Sequence, residues 1–212
     1  MKRPRVVVAD DHTILVEGLR GLLEPEFELV GTAEDGRALL AATEALRPEI
    51  VVLDISMPLL NGIEVARQIR KTQPAIKIVF LTMHPDIAFV TEAFRIGASG
   101  YVLKRAAASE LVTALHQALQ GHCYLSPLVT KDTLETLLQR SSSKRESSPL
   151  TTRQREVLQL LAEGHAVKEI ATVLNVAART VEFHKYRIME ELGLRTVAEL
   201  TQYALKHGIL PV

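Results

Sequence analysis

Three carboxylates stand where they could do chemistry together. Asp10 and Asp11 follow the run Val6-Val7-Val8-Ala9, and Asp54 follows Ile50-Val51-Val52-Leu53. Short, β-branched apolar runs of this kind read as strands buried on both faces of a parallel sheet. In an open parallel sheet, ligands collect at the carboxyl ends of the strands. A single Asp at such an end commonly does no more than terminate its strand. Two acidic strand ends can instead converge three side chains on one crevice. Left unpaired, these carboxylates would repel and raise one another's pKa. A hard divalent cation resolves that repulsion, and oxygen ligands with room for water suit Mg²⁺. With Asp10, Asp11 and Asp54 as the cluster and no cysteine or histidine among its ligands, a softer metal is not favoured.

The elements that must position these residues follow from the pattern around them. Strands are expected at Arg5–Ala9, Phe27–Ala33, Ile50–Leu53, Ile76–Leu81 and Gly100–Leu103. Helices are expected between and after them at about His12–Leu23, Gly36–Leu46, Gly62–Lys71, Asp86–Ile96 and Ala107–Leu119. Five such βα units imply a flavodoxin-like α/β domain, with a five-stranded parallel sheet, helices on both faces and right-handed crossovers. After Asp54 the chain reads Ser56-Met57-Pro58 and then Asn61-Gly62, a turn that precedes the third helix. Strand four ends at Thr82 and strand five at Lys104, which places a hydroxyl and an ammonium at the same edge as the acids.

Beyond Cys123 the pattern changes. Tyr124-Leu125-Ser126-Pro127 reads as a turn, and Leu128–Leu138 as a short helix. Ser141 to Pro149 is polar and serine-rich, a composition that buries too little to order itself, so it reads as a flexible linker. From Leu150 onward everything is helical and short. One helix starts at a Thr151 or Thr152 cap, buries Val157, Leu158, Leu160 and Leu161, and stops at Gly164. Val167–Leu174, the tight connection Asn175-Val176-Ala177, and Arg179–Leu192 have helix-turn-helix spacing, and Thr196–His207 follows. The expected organisation is one α/β domain over residues 1–122, a linker over 123–148, and an all-α four-helix domain over 149–212.

Composition narrows the function class. The 212 residues are 47% hydrophobic with a formal net charge of zero, so global charge forces neither a nucleic-acid nor a membrane partner. Cys123 is the only cysteine, which excludes an intrachain disulfide and a cysteine zinc cluster. No apolar run approaches the roughly 20 residues of a membrane span, and no signal peptide is evident, so a soluble cytoplasmic protein is expected.

Taken together, these residues carry a resemblance. The first half resembles a response-regulator receiver domain in Asp10-Asp11, Asp54 with Met57-Pro58 and Gly62, Thr82, Tyr101 in strand five, and Lys104. The second half resembles the LuxR-type helix-turn-helix in Leu150-Thr151-Thr152-Arg153-Gln154-Arg155-Glu156-Val157-Leu158, Lys168-Glu169-Ile170-Ala171, Thr180-Val181 and His184. The combination is similar to the NarL/FixJ class of two-component regulators. The resemblance implies that Asp54 accepts a phosphoryl group from a histidine kinase. It implies that Asp10, Asp11 and Asp54, with the backbone carbonyl of Ser56, hold Mg²⁺. Lys104 and the Thr82 hydroxyl would contact the phosphoryl oxygens, and Tyr101 would turn inward as Thr82 moves. Further implied partners are a second copy on activation and RNA polymerase.

The same resemblance makes Arg179–Leu192 the recognition helix, lying in the major groove of double-stranded DNA at paired half-sites. By that register Glu182, Phe183 and Tyr186 read bases, and Lys185 and Arg187 lie near phosphates. Arg179, Thr180 and His184 complete the contacting stretch. Glu can accept from cytosine N4, and Phe can pack on a thymine methyl. The DNA-binding half carries eight Lys/Arg against seven Asp/Glu, a net of +1, so phosphate contacts must come from local clustering and helix N-termini. Ala166 and Ala177 depart from the family pattern, because alanine offers no side-chain acceptor for a helix N-terminus. Pro85 is a further departure, expected in the first turn of helix four.

Two other classes compete with a phosphorylation-switched transcription regulator. A haloacid-dehalogenase-type phosphatase also puts a nucleophilic Asp after a hydrophobic strand. It needs a second Asp two residues later, and Ser56 stands there. A phosphorylation-independent DNA-binding regulator with a vestigial receiver is the alternative that sequence leaves open. A dinucleotide-binding domain fails for want of Gly-x-Gly-x-x-Gly after the first strand.

Overall fold

The structure, a computed structural model, describes residues 2–129 and 150–210. Alternating strands and helices fill the first part: β1 (Arg5–Ala9), α1 (Thr13–Leu23), β2 (Glu28–Ala33), α2 (Gly36–Leu46), β3 (Ile50–Leu53), α3 (Gly62–Thr72), β4 (Lys77–Thr82), α4 (Ile87–Ile96), β5 (Gly100–Leu103) and α5 (Ala107–Leu119). A 3-10 turn at Lys104–Ala106 leads into α5. The strands pair in parallel in the order β2-β1-β3-β4-β5, extended by β6 (Tyr124–Leu125).

The pleat sorts each strand between two cores. Val7, Ala9, Val51 and Leu53 face one cluster with Leu39, Val65, Ile69 and Val90 of α2, α3 and α4. Val6, Val8, Ile50 and Val52 face the other, with Leu19 of α1 and Leu111 and Leu115 of α5. Strands β1 and β3 are buried along nearly their whole length, which is why they read as continuous apolar runs. The order reverses between β1 and β3, so a crevice opens at the carboxyl ends of these two strands.

Two expectations are corrected here. Among the described residues the sheet has six strands, not five: Tyr124 and Leu125 pair with Gly100 and Tyr101 rather than forming a turn. The physical reason is the open hydrogen-bonding edge that β5 would otherwise present. Pro85 precedes the Asp86 N-cap of α4 and so lies outside the first turn of that helix. Beyond Val129, the helix expected over Leu128–Leu138 falls outside the described residues, as does the serine-rich segment to Pro149.

The second part is helical: α6 (Thr152–Ala162), α7 (Val167–Val173), α8 (Ala178–Leu192) and α9 (Val197–Lys206). Thr151 caps α6 in a full capping box with Gln154. Val157, Leu158, Leu160, Ile170, Val181, Ile188 and Leu200 form its core. Gly193 ends α8 at a φ of +66°, a left-handed position that suits glycine. Ala166 and Ala177 are the N-caps of α7 and α8, and neither makes a side-chain cap. At Ala166 only the reciprocal half survives, with its N–H donating to Glu169 Oε2 at 2.8 Å.

Candidate functional site

The crevice gathers Asp10 from β1, Asp54 from β3 and Lys104 from β5. All three are nearly buried, with side-chain exposures of 1%, 2% and 9%. Lys104 Nζ lies 2.7 Å from Asp54 Oδ2 and 2.7 Å from Asp10 Oδ2. The Ile55 N–H donates to Asp54 Oδ1 at 2.6 Å. Burial pulls the Lys104 ammonium down, but the hydrogen bonds and charges of Asp10 and Asp54 outweigh it, and its pKa sits above the ordinary value. The lysine is therefore a fixed cation between two carboxylates. Gly62 is confined by the same architecture: a Cβ there would collide with the Asp54 carbonyl oxygen.

Asp11 stands at the mouth of the crevice, and ligand atoms of Asp10, Asp11 and His12 lie within 4.8 Å of one another. His12 Nδ1 is 3.0 Å from Asp10 Oδ1 and 2.8 Å from Asp11 Oδ1. Sequence reasoning left His12 out of the acidic cluster, although it directly follows Asp11 and the helix start turns it back. Asp10 Oδ2 is buried, and among the described residues its close partner is the Lys104 ammonium at 2.7 Å. A buried carboxylate oxygen with lone pairs to spare, beside a second acid at the surface, fits a hard cation. Asp10, Asp11 and Asp54 with the Ser56 carbonyl are the oxygen donors that could hold it.

Around this centre lie the other expected residues. Thr82 is fully buried at the end of β4, and its Oγ1 accepts from the His84 N–H at 3.3 Å. Tyr101 is also fully buried, and its hydroxyl donates to the His84 carbonyl at 2.7 Å. Burial, with Asp54 and Asp86 adding to it, holds the Tyr101 phenol far above its ordinary pKa, so it acts as a donor and not a base. Tyr101 thus already occupies the inward position. Ser56 Oγ and His84 Nε2 are 2.7 Å apart, a pairing of two loops that no local sequence signal announced. Burial pushes the His84 imidazole below its ordinary pKa; Lys104 adds to this, and the Asp54 and Asp86 carboxylates oppose it.

The second candidate surface is α8. Arg179, Glu182, Phe183, Tyr186 and Arg187 are exposed, while Thr180, His184 and Lys185 are half-buried. Phe183 and Tyr186 leave 58% and 71% of their area open, a large outlay of aromatic surface on one helix face. The Arg187 guanidinium sits 5.9 Å from the Phe183 ring centre, and His184 meets the same ring edge-on. Burial, then Arg153, keep His184 below its ordinary pKa.

Sequence reasoning missed how the two halves meet. Helix α6 packs on the β3–α3 loop and α3. Gln159 is fully buried; its Oε1 accepts from Asn61 N at 2.8 Å, and its Nε2 donates to Met57 O at 3.1 Å. Arg155 Nε lies 2.5 Å from Glu64 Oε1, and Gln68 Nε2 donates to Glu156 Oε1 at 2.9 Å. Leu59 joins the core of the helical half.

No helix among the described residues is long and apolar enough to cross a membrane. The description "response regulator receiver domain" matches residues 6–116, and "bacterial regulatory proteins, luxR family" matches residues 148–204. The chain is 33% identical to the transcriptional regulatory protein MctR of Rhizobium johnstonii, over 97% of this chain and 95% of that one. It is 33% identical to the oxygen regulatory protein NreC of Staphylococcus carnosus, over 97% and 99%. Among solved structures, RcsB of Salmonella typhimurium aligns with a TM-score of 0.63 at 32% identity, covering 98% of this chain and 99% of that one. The RcsB–DNA complex aligns with a TM-score of 0.61 at 31% identity, over 97% and 99%. A receiver sheet with its acidic crevice, joined to a LuxR-type helical domain, makes this chain a two-component response regulator of the NarL/FixJ class, a family of transcriptional regulators.

Proposed function

We propose that the chain is a phosphorylation-switched DNA-binding regulator in which Asp54 is the phosphoacceptor. The observation that carries this reading is the buried triangle of Asp10, Lys104 and Asp54 at the carboxyl ends of three strands. Phosphoryl transfer requires in-line positioning and charge neutralisation more than elaborate chemistry. A carboxylate oxygen of Asp54 forms the new bond to phosphorus as the bond from phosphorus to a kinase histidine nitrogen breaks. Lys104 then pairs with the phosphoryl oxygens, and the Thr82 hydroxyl donates to one of them. Mg²⁺, when held by Asp10, Asp11, Asp54 and the Ser56 carbonyl, supplies charge neutralisation at the transferring group. The α8 face enters the major groove, with Glu182, Phe183 and Tyr186 reading bases and Arg179, Thr180, His184, Lys185 and Arg187 placing the helix. A homodimer on paired half-sites, a cognate histidine kinase, RNA polymerase as the downstream contact and a cytoplasmic location complete the reading.

Intact-mass measurement after treatment with acetyl phosphate and Mg²⁺ tests it, paired with footprinting on promoter DNA. The wild type should gain one phosphoryl mass and bind DNA more tightly, and Asp54→Ala should do neither. DNA binding that ignores confirmed phosphorylation would replace this reading with the phosphorylation-independent regulator.

A further inference from the structure

The loop that leaves Asp54 is held from outside its own domain. Ser56, whose carbonyl is a candidate metal ligand, is followed by Met57, and the Met57 carbonyl accepts from Gln159 Nε2 at 3.1 Å. The other end of the same side chain takes Asn61 N at 2.8 Å and Asn61 Nδ2 at 3.2 Å. One fully buried glutamine therefore ties both ends of the loop to α6. Between them Leu59 adopts a φ of +62°, which a residue with a branched side chain adopts only when its surroundings impose it. Its surroundings are the helical half, whose core its side chain joins. A local turn bond, Gly62 N to Ile55 O at 2.9 Å, shapes the loop's end. It leaves the Met57 carbonyl and the Asn61 N–H to Gln159 of α6.

From this geometry we infer that Gln159 is a positioning residue for the phosphoacceptor site, and that metal binding and phosphoryl uptake at Asp54 are coupled to docking of the DNA-binding half. The inference rests on the phosphoacceptor reading above. A docked loop is already ordered, so an ion or phosphoryl group does not have to order it. An undocked loop loses its grips on Met57, Leu59 and Asn61, and binding must restore them. Linkage is reciprocal, so Mg²⁺ and phosphoryl group must also tighten docking. Tight docking is compatible with DNA binding here. None of the hydrogen bonds between the halves, among the described residues, involves α8, and Glu182, Phe183 and Tyr186 are exposed.

Isothermal titration of Mg²⁺ into the full-length chain tests the clamp, comparing wild type with Gln159→Met, which keeps side-chain length but loses the amide. Mg²⁺ affinity should fall about fivefold, the lower end of ordinary coupling between sites. The rate of phosphoryl uptake from acetyl phosphate should fall with it. Lys168→Ala, at an exposed position on α7, should change neither. Small-angle scattering of the wild type, at a dilution where light scattering shows single copies, should show each chain as compact or more compact with Mg²⁺ and acetyl phosphate. Equal Mg²⁺ affinity in wild type and Gln159→Met overturns the inference, as does expansion of the phosphorylated chain. If Gln159→Met fails to fold, amide exchange on the wild type decides: Mg²⁺ must slow exchange across α6, and unchanged exchange overturns it. A wild type that takes no phosphoryl group removes the phosphoacceptor reading alone, because the Mg²⁺ titration and the exchange still judge the clamp.

Discussion

Replacing Arg155 by alanine probes the interface between the halves most directly. Glu64 is 2% exposed and takes Arg155 at 2.5 Å through Nε and 3.3 Å through Nη2. Its other cation is Arg67, with Nε at 3.2 Å, and Arg67 is itself shared with Glu92. Removing one partner from a buried ion pair costs about 3–5 kcal/mol when nothing replaces it. Arg67 still compensates part of the Glu64 charge, so a loss of about 2–3 kcal/mol is expected, similar to one hydrogen bond to a charged group. A second limit applies. If α6 lifts off, Glu64 is rehydrated, so the cost cannot exceed the free energy of docking. For a chain of this size about 2–3 kcal/mol corresponds to a fall in Tm of roughly 4–12 °C. Thermal melts of the full-length chain read the first limit, and small-angle scattering reads the second as an increase in radius. The double variant Glu64→Gln with Arg155→Ala should recover much of the loss, because no buried charge is then left behind. A variant with both melting and scattering unchanged would refute the reasoning, since Glu64 would then need no cation from α6.

Gly62→Ala drives a Cβ into the Asp54 carbonyl oxygen, a backbone contact that cannot rotate away, and should destabilise the receiver by at least about 1–3 kcal/mol in urea denaturation. Ala177→Ser should gain up to about 1 kcal/mol by supplying the acceptor that the α8 N-terminus lacks, read as slower amide exchange in its first turn; unchanged exchange would mean those N–H groups already have partners. Burial, against bonds from Gln159 and the Leu59 N–H, holds the Glu163 carboxyl above its ordinary 4.5, so the folded chain binds that proton more tightly than the unfolded chain. The cost of the charged form is full above the folded value and fades as pH falls toward 4.5. The stability difference between Glu163→Gln and wild type should therefore shift toward the wild type on acidification; a shift the other way would reverse the assignment. Glu182→Ala should relax preference at one base pair in a site library, whereas Lys185→Ala should weaken all sites alike.

The receiver was legible because its information is local. Apolar runs marked β1 and β3, and the acids at their ends marked the crevice, so Asp54, Asp10 and Lys104 meet where strand ends alone would put them. Helix α8 itself was legible from helix-turn-helix spacing, and the residues assigned to its face came from the family resemblance. What escaped depends on distant partners. The strand at Tyr124–Leu125 forms only because β5 leaves an edge, and two residues carry no strand signal of their own. The Ser56–His84 and Gln159–Asn61 bonds join positions 28 and 98 residues apart. A clue to the interface did exist in α6. Every residue from Glu156 to Leu161 is buried, and no single apolar stripe accounts for six consecutive positions. Glu156 and Gln159 are polar because one side of that helix packs on its own core and another on backbone and side-chain polar groups of the receiver, whereas Gln154 closes the Thr151 capping box and donates to Glu191 within the helical half.

This arrangement constrains how a signal at Asp54 could reach DNA. Masking of the proposed reading residues is not the device, because Glu182, Phe183 and Tyr186 stay exposed while the halves are docked. Charge is not the device either: a net of +1 on the DNA-binding half gives little long-range attraction to phosphates. A single copy should therefore bind a half-site weakly whatever the state of Asp54. Valency remains. Two paired copies turn the second half-site into an intramolecular target, and such avidity can exceed single-site affinity by about 10²–10⁴ without a new contact. The energy for pairing has to come from the crevice, and there the gross gain is discounted. Lys104 is already held by Asp10 and Asp54, so an incoming phosphoryl group replaces a carboxylate contact instead of meeting a free ammonium. A net shift of about 1.4 kcal/mol in pairing still changes the dimer equilibrium tenfold. Under the proposed function the switch works by setting how many copies sit side by side, with the docked loop at Gln159 keeping each copy's recognition helix in one orientation while they do.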